Sequence, residues 1–113
     1  MNTSTPPVFD PDEALAIVDG DRDLFRDLVD VFRQNYAAEL SSIRDAIRLR
    51  DAEALRAAAH QFKGTLSALA AGPARETVVR LEALGRHADL AQAGEIYAEM
   101  ERQVQALDAA LPG

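Results

Sequence analysis

Seven apolar side chains, Phe25, Leu28, Phe32, Tyr36, Leu40, Ile43 and Ile47, recur at spacings of three and four residues. At 3.6 residues per turn this places all seven along one side of a helix. The stretch predicts one long amphipathic helix, capped at Asp21 or its neighbours and running to about Arg50. Its apolar seam needs a cover of comparable length, and the rest of the chain supplies further helices of the same kind.

Before the long helix, Asp10 and Pro11 open a short one by the N-cap and first-turn rule, and Glu13 completes a capping-box pattern. This short helix runs to about Val18 and stops at Gly20. After the long helix, Asp51 caps a third, whose Leu55, Ala58, Ala59, Phe62, Leu66 and Leu69 form an apolar face, ending near Gly72-Pro73. Pro73 suits the first turn of a fourth helix, with Val78, Leu81 and Leu84 inward and an end around Gly85. Asp89 or Leu90 starts the last helix, where Leu90, Ala93, Tyr97, Met100, Val104, Leu107 and Leu111 again space at three and four. Four amphipathic helices with short connections specify an all-α fold: an antiparallel up-down-up-down four-helix bundle over residues 9–111, with the short extra N-terminal helix as a lid. Residues 1–8 are polar and proline-bearing and are expected to be a disordered lead or the remnant of a linker.

At 113 residues the chain makes one domain with a real core. Its apolar share of 48% is rich in alanine and contains no tryptophan, which favours close-packed helices. There is no cysteine, so disulfides and thiolate metal sites are excluded. The amino terminus has neither the basic start nor the apolar run of a signal peptide, and no stretch reaches the roughly 20 apolar residues of a membrane span. A soluble, cytoplasmic protein is expected. The net charge of −7 opposes nucleic acid and anionic membrane surfaces, both of which select basic footprints.

One local exception to that charge is informative. Viewed down the third helix from His60, residues Glu53, Arg56, Lys63, Gly64 and Ser67 all fall within about 60° of the imidazole, and the apolar face centres about 200° away. His60 therefore points to solvent, with Arg56 and Lys63 making a small basic spot around it. Such a spot suits one phosphoryl group or one acidic pocket. An imidazole with an ordinary pKa near ~6.5 is substantially neutral, and so nucleophilic, at neutral pH. No second histidine stands at helical spacing and no Glu-x-x-His pair exists, so a metal role for His60 fails. Lys63, three residues on, brings an ammonium to the space over the ring; an ordinary solvated lysine is the competing reading. Gly64 lies mid-helix, where glycine costs about 0.5–1 kcal/mol relative to alanine, and its missing Cβ gives room beside His60, an incidental or packing glycine being the other reading. His87 falls in an expected loop and has no assigned role.

Positions 59–64, Ala-His-Gln-Phe-Lys-Gly, resemble the A-H-x-[LF]-K-G signature of histidine-containing phosphotransfer (HPt) domains. The resemblance extends to Leu81-Glu82, Phe9-Asp10 and Gly20-Asp21, and so spans roughly residues 8–110. It departs from the family at Ala70, where glycine is frequent, and at His87-Ala88-Asp89, where a Gly-Asp turn is usual; both concern loop geometry. The resemblance implies a helical bundle that carries a phosphoryl group on His60 between the receiver domains of response regulators and hybrid histidine kinases. It implies that Glu82 hydrogen-bonds the histidine, a surface glutamate being the alternative. Arg56 and Ser67, which share the His60 stripe, are expected in the docking surface, plain solvent contacts being the other reading. Thr65 after a single Gly64 resembles the hybrid-kinase type. The domain is expected to be a monomer that binds no cofactor, Mg²⁺ being on the receiver partner, and to have no autonomous catalysis. A module that docks receivers without transfer, and a purely structural bundle with an unremarkable His60, are the rival readings.

Overall fold

A computed structural model describes residues 8–112, so the predicted lead lies, Val8 apart, outside the described residues. Five helices follow in order: α1 Pro11–Ile17, α2 Arg22–Arg48, α3 Ala52–Ala68, α4 Gly72–Arg86 and α5 Ala93–Ala110. Helices α2, α3, α4 and α5 pack each on the next, and α5 returns to α2, which closes the bundle; α1 lies against α2. The predicted seams face inward. Phe25, Phe32, Leu40 and Ile43 of α2 are buried with Leu55, Phe62 and Leu66 of α3, Val78 and Leu81 of α4, and Met100, Val104 and Leu107 of α5.

Three of the helices, α1 to α3, start on aspartates. Asp10, Asp21 and Asp51 each accept backbone N–H groups of the first turn at 3.0–3.1 Å, satisfying donors that have no partner within the helix. The predicted capping box at Glu13 is only half formed, because the Asp10 N–H donates to Ala70 O instead of to Glu13. That bond at 3.1 Å ties the entry of α1 to the α3–α4 turn.

The ends of α1 to α4 share one device. In each, the residue after the C-cap has a left-handed backbone: Asp19, Arg50, Ala70 and Ala88 have φ between 52° and 54°. The following N–H then reaches back to the helix, Gly20 to Leu15 O, Asp51 to Ala46 O, Ala71 to Leu66 O and Asp89 to Leu84 O. This pairing satisfies the last carbonyls, and glycine is its usual residue. It also explains two boundaries. The helix predicted to run to Gly72-Pro73 ends at Ala68, because Ala70 turns the chain. The last helix, predicted from Asp89 or Leu90, begins at Ala93, because the turn at Ala88 is followed by a second one in which Asp89 accepts from the Ala91 N–H at 3.4 Å. Leu84, expected inward, is only half-buried, and Gly85 takes the buried position beside it.

Candidate functional site

Helix α3 presents its polar stripe at one edge of the bundle, between a groove facing α2 and the flank of α4. His60 is displayed there, its side chain 63% exposed. The reason is its register: Ala59 and Phe62 on either side are fully buried and fix the face of the helix.

Glu82 occupies the matching turn of α4, and its residue is only 4% exposed. Its Oε2 lies 2.7 Å from His60 Nδ1, and its Oε1 accepts from Lys63 Nζ at 2.9 Å. Arg86, one turn further along α4, holds its guanidinium 3.7 Å from the same Oε2. The buried carboxylate is therefore surrounded by an imidazole and two cations. The Lys63 hydrogen bond holds its carboxyl below the usual range, with His60 adding to the effect and burial opposing it. An ionised Glu82 can only accept, so the Nδ1 it touches carries a proton; in the neutral imidazole that leaves the lone pair on Nε2.

The stripe around His60 is not uniform. Lys63, expected over the imidazole, donates to Glu82 Oε1 at 2.9 Å, with a side chain 27% exposed. Sequence periodicity gives the direction of a lysine and not its partner, and the buried carboxylate captures it. Gly64 is exposed, and a Cβ built there meets nothing within 4 Å. Arg56 is clamped to Glu53 one turn back on its own helix, with Nη2 2.6 Å from Oε2. Ser67 accepts from Arg75 Nε at 2.7 Å, which joins α3 to α4 at the far end of the stripe. On the α2 flank, Val31, Asn35, Ala38 and Glu39 face Gln61 and Thr65 across an open groove of about 440 Å³. Burial raises the Glu39 carboxyl there, and the Thr65 hydroxyl opposes the rise by donating to it at 3.5 Å. His87 is exposed at the end of α4.

Two residues of this site escape the motif. Arg86 stands four residues after Glu82, a spacing that places opposite charges side by side on a helix and would have pointed to it. Gly85 reads in the sequence as the end of the fourth helix, which does end at Arg86, but its burial against α3 is not visible in the sequence.

The Hpt domain family model matches residues 27–110, from the first half of α2 to the end of α5. No curated protein matches the chain. Among solved structures, the crystal structure of histidine-containing phosphotransfer protein B (HptB) from Pseudomonas aeruginosa PAO1 is similar, with a TM-score of 0.84 and 28% sequence identity over 93% of this chain and 91% of that one. Among the described residues no helix is long and apolar enough to cross a membrane. With the family model covering most of the bundle and the motif histidine displayed on it, the chain belongs to the Hpt domain family.

Proposed function

We propose that this chain is a phosphorelay intermediate in which His60 accepts a phosphoryl group from the aspartyl phosphate of one receiver domain and delivers it to another. One observation carries the reading: His60 is exposed while its Nδ1 is held by a buried carboxylate at 2.7 Å. Nε2 attacks phosphorus in line, the N–P bond forms, and the acyl phosphate P–O bond breaks with the receiver's carboxylate as leaving group. No proton has to leave Nε2, since the ring proton is already on Nδ1. The ring gains positive charge during attack, and the Glu82 carboxylate stabilises it from a site largely shielded from water. Return of the phosphoryl group to a second receiver runs the same steps backwards.

Lys63 keeps Glu82 ionised, with His60 adding to the effect, and Lys63 and Arg86 leave positive charge beside the site. Gly64 leaves the approach open. Arg56, Ser67 and the α2 flank with Val31 and Asn35 form the surface on which a receiver docks. The Mg²⁺ and the acidic pocket belong to the receiver, so the domain acts as a phosphocarrier and not as an autonomous enzyme. A transient relay must release its partner, which suits a modest interface with a polar rim.

Incubation with a radiolabelled, phosphorylated receiver domain tests the reading. The chain is expected to take up acid-labile, base-stable label. A chain that binds the receiver and stays unlabelled is a docking module, and the proposal is then wrong.

A further inference from the structure

The bond between His60 and Glu82 crosses two helices, so its length depends on how closely α3 and α4 approach. One residue bears directly on that approach. A Cβ added at Gly85 would lie 2.6 Å from Arg56 N, 2.8 Å from Ala52 O and 2.9 Å from Arg56 Cα. All three are backbone atoms of α3, which cannot rotate aside. Gly64, Gly72 and Gly94, by contrast, would each place a Cβ in open space. The interaxial distance of packed helices is set by the side chains at the crossing, and here it is set by the absence of one.

The position matters as much as the contact. Gly85 follows Glu82 by three residues on α4, and Arg56 precedes His60 by four on α3. The close crossing is thus one turn away from the hydrogen bond. Carbon atoms are at ease at about 3.5–4.0 Å, so a methyl at position 85 would push the helices apart by about an ångström. A bond of 2.7 Å lengthened by that amount leaves hydrogen-bond range.

We infer that Gly85 is a positioning residue of the phosphotransfer site: by letting the backbones of α3 and α4 meet, it holds Glu82 within reach of His60 Nδ1 and so selects the imidazole tautomer. The inference rests on the function proposed above for His60, but its main readout does not require transfer. Nitrogen-15 NMR of the neutral imidazole reports which ring nitrogen carries the proton. The parent is expected to show Nδ1–H. Gly85→Ala should shift His60 toward Nε2–H and slow phosphoryl acceptance by about ten- to a hundredfold, the usual loss when the outer partner of a working imidazole is removed. Gly94→Ala, at an open position on α5, should change neither. Leu107→Ala, which weakens the core on α5 away from the crossing, should lower stability but keep the Nδ1–H tautomer.

If Gly85→Ala does not fold, Glu82→Asp decides, since it keeps the crossing and withdraws the carboxylate by one methylene. The same tautomer shift there supports a site limited by helix spacing. An unchanged tautomer or unchanged transfer in folded Gly85→Ala, or in Glu82→Asp if Gly85→Ala does not fold, overturns the inference. A parent that shows the Nδ1–H tautomer and accepts no phosphoryl group instead overturns the proposed function and leaves the positioning role of Gly85 standing.

Discussion

Glu82 and Asp108 are carboxylates that each join two helices, and the difference between them separates the proposed phosphotransfer site from a clamp. Asp108 on α5 accepts from Arg33 Nε at 2.7 Å and from the Tyr36 hydroxyl at 3.0 Å, both on α2. The same guanidinium donates to the carbonyls of Asp108, Leu111 and Pro112, closing the end of α5. The donors there are engaged with the end of α5, and all of them hold structure. Both carboxyls are held below their ordinary range, Asp108 chiefly by Arg33 and Glu82 chiefly by Lys63. What Glu82 has and Asp108 lacks is a donor with a second, unengaged nitrogen facing solvent. A depressed carboxyl is therefore no mark of function by itself; the exposure of its partner is.

The comparison breaks most sharply through its donors. His60→Gln should abolish phosphoryl acceptance while stability stays within about 0.5 kcal/mol, because an exposed side chain contributes little to folding. Arg33→Ala should do the reverse, costing about 1–3 kcal/mol by leaving Asp108 with only the Tyr36 hydroxyl and three carbonyls without their side-chain donor, with transfer at the parental rate. Denaturant melts and label uptake on the two variants check both halves. If Arg33→Ala slowed transfer as much as it lowered stability, the two regions would not be independent.

Glu82→Gln should slow transfer by about ten- to a hundredfold, since the amide can hold Nδ1–H but cannot stabilise the charge developing on the ring. It should also change the response to acid. Glu82 has its carboxyl lowered by the fold, so its contribution to stability is complete above the ordinary carboxylate range, near pH ~4.3, and is lost as pH falls through the depressed value. The Glu82→Gln variant should accordingly show a shallower loss of stability below about pH 4 than the parent. Asp108→Asn should flatten the same limb without touching transfer. Identical acid limbs in the parent and in Glu82→Gln would mean that Glu82 is not held ionised by its neighbours.

Lys63→Ala should have a smaller effect, a severalfold slower transfer or a shorter-lived phosphohistidine, as one of the two cations beside Glu82 is lost and Arg86 remains. Parental values for both quantities would reduce Lys63 to a structural partner of Glu82. The smallest effect is expected at Gly64. Alanine there should stabilise the helix by up to about 1 kcal/mol, and transfer should still fall because the methyl enters the approach to His60. A more stable protein with undiminished transfer would show that Gly64 has no steric role.

How far the sequence reaches can be judged residue by residue. The seams of α2, α3 and α5 were legible because burial on one helical face has a period, and Phe32, Phe62 and Met100 fall where that period puts them. The outward direction of His60 follows from the same period. Boundaries were less legible where a left-handed residue is not glycine: Ala70 and Ala88 carry no sign in their identity of the turn they make, though both stand at or beside positions where the Hpt resemblance departs from glycine. The partners of Lys63 and the burial of Glu82 were beyond one-helix reasoning. They depend on the distance between α3 and α4, and that distance is written in Gly85, a residue whose effect is visible only once a second helix is laid against it.

The most direct test of the central claim is the position of the phosphoryl group on the ring. The chain, labelled with nitrogen-15 in histidine and phosphorylated by a receiver domain, should show phosphorus-to-nitrogen coupling at Nε2 of His60, with the Nδ1 proton retained toward Glu82. Phosphorus on Nδ1, or on any other residue, would contradict a site in which Glu82 holds one nitrogen and leaves the other free to react.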